Sequence, residues 1–403
     1  MASGIATICF DDFTLDIDKA ELRRGGETIS VEPQVYDLIV YLARNSEHVV
    51  SRDDIIEHIW DGRIVSDTAI STRINAARHA LDDDGKTQKY IKTVRQRGFR
   101  FAVDPQISES GGESDKLPVA ERTPMEIRYC RSVDGVNLAY QSIGSGSPLV
   151  KAPSFLSHLE FEHESPVWRH WVRELSRDHQ YVRFDQRGNG MSDWQVDDIS
   201  FDAFVEDLKT VTDHLELKRF PVLGVSQGAA IATEFTCRYP EKVSGLILLG
   251  GYVAGWRRFG DPSFQTKRDA MLELMKVGWG ENNPAFRQVY TNLFVPSGTP
   301  EQQDWFNDMQ KASATPENAY RILKAYAEID VRSQLAKINV PTLVVHCRGD
   351  AIVPYEAGRQ YATGIANARM VTLEGENHVL LERDPGWPIF LSELRHFLKE
   401  IES

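Results

Sequence analysis

At 403 residues the chain is long enough for two or three domains, each burying its own core. A formal net charge of −13 argues against a protein that coats nucleic acid or membrane along its whole length, while leaving room for a local basic reading surface. No apolar run approaches the roughly 18–20 residues of a membrane span, the first residues do not resemble a signal peptide, and Cys9, Cys130, Cys237 and Cys347 are scattered without metal-type spacing. A cytoplasmic protein with no metal, no cofactor and no structural disulfide is the expectation.

In chain order, residues 8–31 alternate short apolar and polar runs (Ile8–Phe10, Phe13–Leu15, Thr28–Val31) broken by Asp pairs and Gly25-Gly26, which predicts a small antiparallel sheet. Pro33 opens a helix with Val35, Leu38, Ile39 and Leu42 on one face. Ser51 caps a second, with Asp53 and Asp54 in its first turn. Asp67 caps a third, in which Ile70, Ile74, Ala77 and Leu81 recur at helical spacing. Tyr90–Val94 and Gly98–Phe101 then predict a hairpin. Three helices followed by a hairpin is the order of a winged helix–turn–helix (α+β).

The runs Val65-Ser66-Asp67…Ile70…Arg73-Ile74…Arg78…Leu81 and Tyr90-Ile91-Lys92-Thr93-Val94…Arg97-Gly98-Phe99, with Val49-Val50-Ser51-Arg52 and Ile59-Trp60 before them, resemble the OmpR-type winged-helix DNA-binding family over residues 8–103. The resemblance implies a third helix in the major groove of double-stranded DNA and a wing along the adjacent minor groove or backbone. Carried onto this chain, the DNA-facing candidates are Ser71, Thr72, Arg73, Asn75 and Arg78 on the helix, with His79 beside them, and Lys92, Thr93, Arg95 and Arg97 on the wing. Between Arg73 and Arg100 eight Lys/Arg stand against three acidic residues, a local excess able to neutralise phosphates. Members of this family often bind repeated half-sites as pairs, so a homodimer is implied.

Residues 105–124, rich in Ser, Glu, Gly and Pro, read as a flexible linker between a DNA-binding domain at 1–104 and a larger domain at 125–403. Many proteins with this N-terminal domain carry a transmembrane helix next; its lack here places sensing and DNA on the same side of the membrane. Beyond the linker, strand-like and helix-like segments alternate, predicting an α/β fold with a mostly parallel sheet and crossover helices.

Within that domain, Leu223-Gly224-Val225-Ser226-Gln227-Gly228 follows an apolar strand and runs into a helix, the pattern of a nucleophile elbow. The glycines allow close backbone approach, and the helix start aims free N–H groups at developing negative charge. Tyr181–Ser192, with its Asp185-Gln186-Arg187-Gly188-Asn189-Gly190 turn, together with this elbow, resembles the α/β-hydrolase superfamily over roughly residues 127–400. The first loop, Pro153-Ser154-Phe155-Leu156-Ser157-His158-Leu159-Glu160, is similar to a subgroup often fused to signalling output domains, although Ser154 replaces a customary glycine.

The resemblance implies a Ser-acid-His order, which falls on Ser226, on Asp350 after the strand Pro341–His346, and on His378 in the last loop. An imidazole is needed to take the serine proton, a carboxylate to orient the imidazole, and two backbone N–H groups to receive the oxyanion. Those of Gln227 and Phe155 are implied. Asp185 and Arg187 are expected to hold the Gly-rich turn.

From about 252 to 336 helices dominate, and the resemblance makes this stretch a lid over the serine. Its aromatics point to a small, largely apolar ligand bearing a carbonyl, with Phe155, His158, Trp256, Trp279 and Phe294 as pocket candidates. Arg257, Arg258 and Lys267 read as solvated surface, with pairing to an anionic group as the alternative. Two functions follow from the pairing of domains. One is a ligand-responsive transcription regulator whose hydrolase-like domain binds, and in a hybrid version also hydrolyses, a small ester, lactone or acyl effector. The other is a cytoplasmic serine hydrolase of esterase type whose DNA-binding domain serves tethering or autoregulation.

Overall fold

The computed structural model describes residues 5–17, 21–29, 31–60, 67–83, 86–94, 97–109, 126–163, 165–258, 261–281 and 283–402. The chain divides into two compact units, Met1–Glu121 and Arg122–Ser403. Each buries its own apolar cluster.

The first unit opens with four antiparallel strands, β1 (Ile5–Phe10), β2 (Phe13–Asp16), β3 (Glu21–Arg24) and β4 (Glu27–Ile29). Three helices follow, α1 (Pro33–Arg44), α2 (Arg52–Trp60) and α3 (Asp67–Ala80), then the wing strands β5 (Ile91–Val94) and β6 (Gly98–Phe101). The apolar spacing read from α3 becomes its buried stripe: Ile70, Ile74, Ala77 and Leu81 are all buried beside Leu38, Ile39 and Leu42 of α1. At the start of α2, Ser51 Oγ accepts from Asp54 N while Asp54 Oδ2 accepts from Ser51 N, a reciprocal cap that satisfies two otherwise unpaired donors.

One boundary changes. The linker predicted to begin at 105 starts later, because Gln106–Glu109 forms β7 and pairs antiparallel with β1, giving sheet order β4-β3-β2-β1-β7. Open backbone along one side of β1 recruits this strand despite its polar composition. The rest of the predicted linker, 110–124, lies outside the described residues.

The second unit is built on eight strands: β8 (Arg128–Arg131), β9 (Asn137–Ile143), β10 (Pro148–Lys151), β11 (Gln180–Phe184), β12 (Phe220–Val225), β13 (Val243–Leu249), β14 (Thr342–Cys347) and β15 (Ala368–Leu373). Their order is β15-β14-β13-β12-β10-β11-β9-β8, parallel from β15 to β11, with β9 and β8 running antiparallel at one edge. Every residue of β12 and of β14 is buried, as strands covered on both faces must be. The helices are α4 (Leu159–His163), α5 (Arg169–Leu175), α6 (Phe201–His214), α7 (Gln227–Arg238), the lid helices α8 (Pro262–Gly278), α9 (Ala285–Phe294), α10 (Pro300–Ser313) and α11 (Pro316–Ala327), then α12 (Tyr355–Gly364) and α13 (Gly386–Glu402). Helices α8 to α11 fall inside the stretch, 252–336, expected to form a lid. No helix among the described residues is long and apolar enough to cross a membrane.

One of the contacts that hold the wing is made by the segment between α1 and α2. Val50 N and O exchange hydrogen bonds of 2.8 Å with Phe99 O and N, and Gly98 beside them has φ +138°, with room for no side chain: a Cβ there would lie 1.9 Å from Val50 O. Gly98→Ala is therefore expected to cost the first unit more than about 2 kcal/mol. Calorimetry should show the transition of that unit moving down while that of the second stays in place.

Candidate functional site

The candidate DNA surface follows from the buried stripe of α3. With Ile74 and Ala77 inward, Ser71, Thr72, Asn75 and His79 are exposed and Arg73 is partly so. On the wing Lys92, Thr93, Arg97 and Arg100 are exposed, while Arg95 lies outside the described residues.

Arg78 departs from its predicted role. Its guanidinium is 6% exposed and donates to Ile91 O at 2.8 and 3.0 Å and to Thr93 Oγ1 at 2.9 Å, so it is a strut between α3 and the wing. The helical period explains this: Arg78 follows Ile74 by one turn and sits beside Ala77, at the edge of the apolar stripe. Asp83, which sequence reasoning passed over, completes the joint by accepting from the N–H groups of Lys89, Tyr90 and Ile91. Other charges are also engaged, Arg73 with Glu32 at 2.5 Å and Lys89 with Asp11 at 2.7 Å. The basic excess counted along the sequence is thus only partly available to a ligand.

In the second unit, Ser226 stands between the end of β12 and the first residue of α7 with φ 54° and ψ −120°, a backbone conformation disfavoured for any residue with a Cβ. Crowding holds it there. A Cβ on Gly224 would come within 2.6 Å of Ala229 Cα, and one on Gly228 within 2.9 Å of Pro153 O. Ser226 N donates to Leu249 O at 2.9 Å.

Asp350 and His378 come together as the chain order implied. His378 Nδ1 lies 2.7 Å from Asp350 Oδ2, with both side chains 1% exposed. The other carboxylate oxygen accepts from Ile352 N and Val353 N at 2.8 and 2.9 Å, leaving Oδ2 directed at the imidazole. His378 Nε2 is buried and has no hydrogen-bond partner among the described residues. Gly250 and Gly251, just after β13, bring the parts together: a Cβ on Gly250 would touch His378 Cε1 at 3.3 Å, and one on Gly251 would lie 3.6 Å from Ser226 O. Sequence reasoning missed this pair, although two adjacent glycines ending an apolar strand signal close approach.

The loop carrying Phe155 is pinned from below by the Gly-rich turn. Asn189 Nδ2 donates to Ser157 O and Oγ, and Asp185 Oδ2 accepts from Leu159 N. Arg183, 2% exposed, binds both Glu162 and Leu159 O. Arg187 is likewise buried, paired with Asp207 and Asp134, which lie on α6 and in the β8–β9 turn. Asp185 therefore holds the first loop as well as its own turn, a wider task than the one expected.

A cavity of about 90 Å³ opens above the serine, lined by Ser226, Gln227 and Phe155 from the sheet side and by Trp256, Trp279 and Phe294 from the lid side. Phe155 stacks on Trp279 with centroids 5.6 Å apart, and Phe294 meets the His378 ring edge-on at 5.2 Å. Gln227 opens α7, where backbone N–H groups have no intrahelical acceptor. His158 does not line the cavity; its Nδ1 accepts from Phe161 N and so caps α4. Arg257 and Arg258, predicted as solvated, are paired with Asp269 and Glu328.

Residues 161–385, more than half of the chain, match the family model described as the alpha/beta hydrolase fold. The chain belongs to that family. Residues 26–101 match the model of the C-terminal domain of transcriptional regulatory proteins, so a DNA-binding regulator domain of OmpR type is fused to the α/β-hydrolase domain. The AB hydrolase superfamily protein YisY of Bacillus subtilis is 28% identical over 256 residues, covering 62% of this chain and 91% of that protein. The transcriptional activator CadC of Escherichia coli is 32% identical over 106 residues, which is 26% of this chain and 20% of CadC. In three dimensions the chain is similar to an esterase from Exiguobacterium antarcticum, with a TM-score of 0.57 at 22% identity, over 68% of this chain and 99% of that one; the likeness is one of fold.

In this α/β-hydrolase domain the loop of His378 is anchored from both sides. Phe294 O accepts from His378 N and Val379 N, and Leu380 O accepts from Trp171 Nε1 and from His170 Nε2, each at 3.0 Å. His170 is fully buried, and burial pushes its imidazole down to about 4. The unfolded chain takes up that proton near 6.5, so protonation favours unfolding across the interval between the two values. Stability supplied by neutral His170 should be complete above that window and lost as pH falls through it, by about 3 kcal/mol. Urea unfolding from pH 7.5 downward should show this slope, and His170→Gln should flatten it.

Proposed function

We propose that the protein is a ligand-responsive transcription regulator that binds double-stranded DNA through α3 and the wing, and that its α/β-hydrolase domain receives a small, largely apolar acyl compound, an ester or lactone. The observation that carries the reading is the joining of an OmpR-type DNA-binding domain to a cavity floored by Ser226 and roofed by the lid. At about 90 Å³ this cavity is smaller than the roughly 150 Å³ apolar cavity that holds one benzene. We infer that a longer acyl ligand is admitted as the lid helices shift. A ligand that favours one lid arrangement over another is what a linked change in DNA affinity requires. The partner we propose on DNA is a second copy of the chain, in keeping with the paired half-sites that the family resemblance implies.

The second reading, turnover at the same site, is favoured by the Asp350–His378 pair and the strained serine. Ser226 Oγ adds to the ester carbonyl as His378 Nε2 takes its proton, and the backbone N–H groups of Gln227 and Phe155 receive the oxyanion. The alcohol leaves with that proton, and water repeats the sequence to release the acid and restore the serine. Hydrolysis then ends the signal.

Short p-nitrophenyl esters test the chemistry. Hydrolysis by the full chain that drops at least about 10³-fold in Ser226→Ala establishes turnover; no hydrolysis, with no fluorophosphonate labelling of Ser226, leaves a receptor. DNA affinity is then measured with substrate against product, and equal affinity in both would sink the regulatory reading. On the DNA side, Lys92→Ala should weaken binding across sequences and lower the salt slope by about 1. Arg78→Ala should instead lower the melting temperature of the first unit.

A further inference from the structure

Arg268 on α8 lines the cavity of Ser226, among Phe264, Met271, Trp279, Tyr290 and Phe294. It differs from its neighbours on the lid. Arg257 and Arg258 are neutralised at the surface by Asp269 and Glu328, whereas among the described residues no carboxylate pairs with Arg268. One of its N–H groups, on Nη2, donates to Ile352 O at 2.6 Å, and its guanidinium carbon lies 5.1 Å from the centroid of the Phe264 ring.

A guanidinium carries five donors in a planar fork and stays charged in proteins. Arg268 is partly buried, which presses it below the usual arginine range, and the charges and phenols around it, Asp350, Tyr252 and Tyr290, act on it only through space. A cation partly withdrawn from water into an apolar chamber is costly unless an anion meets it. Fork geometry suits a carboxylate, which accepts two parallel hydrogen bonds.

We infer that Arg268 is the recognition site for a carboxylate on the ligand, so that the acyl compound held over Ser226 carries a negative charge at the end facing α8. The occupant is then a half-ester or lactone derivative of a dicarboxylic acid, apolar in its middle, and not a neutral fatty ester. This rests on the reading of Ser226 as facing the ligand carbonyl. It also gives the lid a means of sensing charge. Ile352 O accepts from Arg268 while Ile352 N donates to Asp350 Oδ1, so an anion on Arg268 acts through a residue bonded to the acid of the site.

Two measurements on the full-length protein test it. In the first, p-nitrophenyl hydrogen succinate and hydrogen glutarate are compared with p-nitrophenyl butyrate in the unaltered protein, Arg268→Gln and Arg268→Lys. The ratio of kcat/KM for anionic over neutral ester should fall at least about tenfold in Arg268→Gln, chiefly through KM, and be partly kept by Arg268→Lys. In the second, melting of Ser226→Ala is followed with monomethyl glutarate and with methyl butyrate. Monomethyl glutarate should raise the melting temperature more, and adding Arg268→Gln should abolish the difference.

If no ester is hydrolysed, the turnover reading fails and the melting experiment alone decides the role of Arg268. An unchanged ratio, or equal shifts with both compounds, overturns the proposal. Arg268 would then be a lid latch on Ile352 and nothing more.

Discussion

The hydrolase domain is organised around the backbone of one residue. Ser226 is held at φ 54°, a conformation that costs roughly 1–3 kcal/mol, and it is kept there because the strand before it and the helix after it are packed too closely to relax. Gly224 and Gly228 make that packing possible, and Leu249 O on the neighbouring strand secures the serine N–H. Once β12 ends there, β13 must end beside it at Gly250-Gly251, and the loops after β14 and β15 must supply Asp350 and His378 to the same edge of the sheet. A parallel sheet delivers this automatically, since all its strands finish on one side.

Three carbonyl oxygens tie neighbouring elements to that edge. Phe294 O, at the end of a lid helix, accepts from the N–H groups of His378 and Val379. Leu380 O receives His170 and Trp171 from below, and Ile352 O receives Arg268 from α8. The lid is thus bonded to the loop of the histidine and to the loop of the acid at the same time. These bonds couple α8 and α9 directly to the residues that orient the imidazole. Arg287, buried on α9, donates to the carbonyls of Trp279, Glu281 and Asn307, so α9 and α10 are cross-braced.

In the DNA-binding domain the division of labour among cations is set by burial. Arg73 and Arg78 look alike in sequence, yet the first lies partly exposed beside Glu32 and the second is turned into the joint between α3 and β5. A count of charges along a segment measures the potential of that segment only when the side chains reach solvent. Here Arg78 and Asp83 stabilise the wing, and Lys92, Arg97 and Arg100 are left to present charge outward.

Local pattern was enough to mark out two domains and their fold classes and to name three candidate site residues, because each rests on short-range rules. Helical spacing marked the buried stripe of α3, a Gly-x-Ser-x-Gly between strand and helix marked the elbow, and chain order placed Asp350 and His378. The helical stretch before β14 was legible as a break in strand–helix alternation. What required the tertiary structure were contacts between residues far apart in the chain. Gln106–Glu109 is a strand only because β1 has an open edge, His158 caps a helix instead of facing the cavity, and Gly250-Gly251 closes the site from a strand whose sequence carries no catalytic motif. Arg268 is the sharpest case. In the sequence it is one more charge on an amphipathic helix beside Arg257, Arg258 and Lys267. Only folding decides which of these meets a carboxylate at the surface and which is carried, without one, into the chamber above the serine.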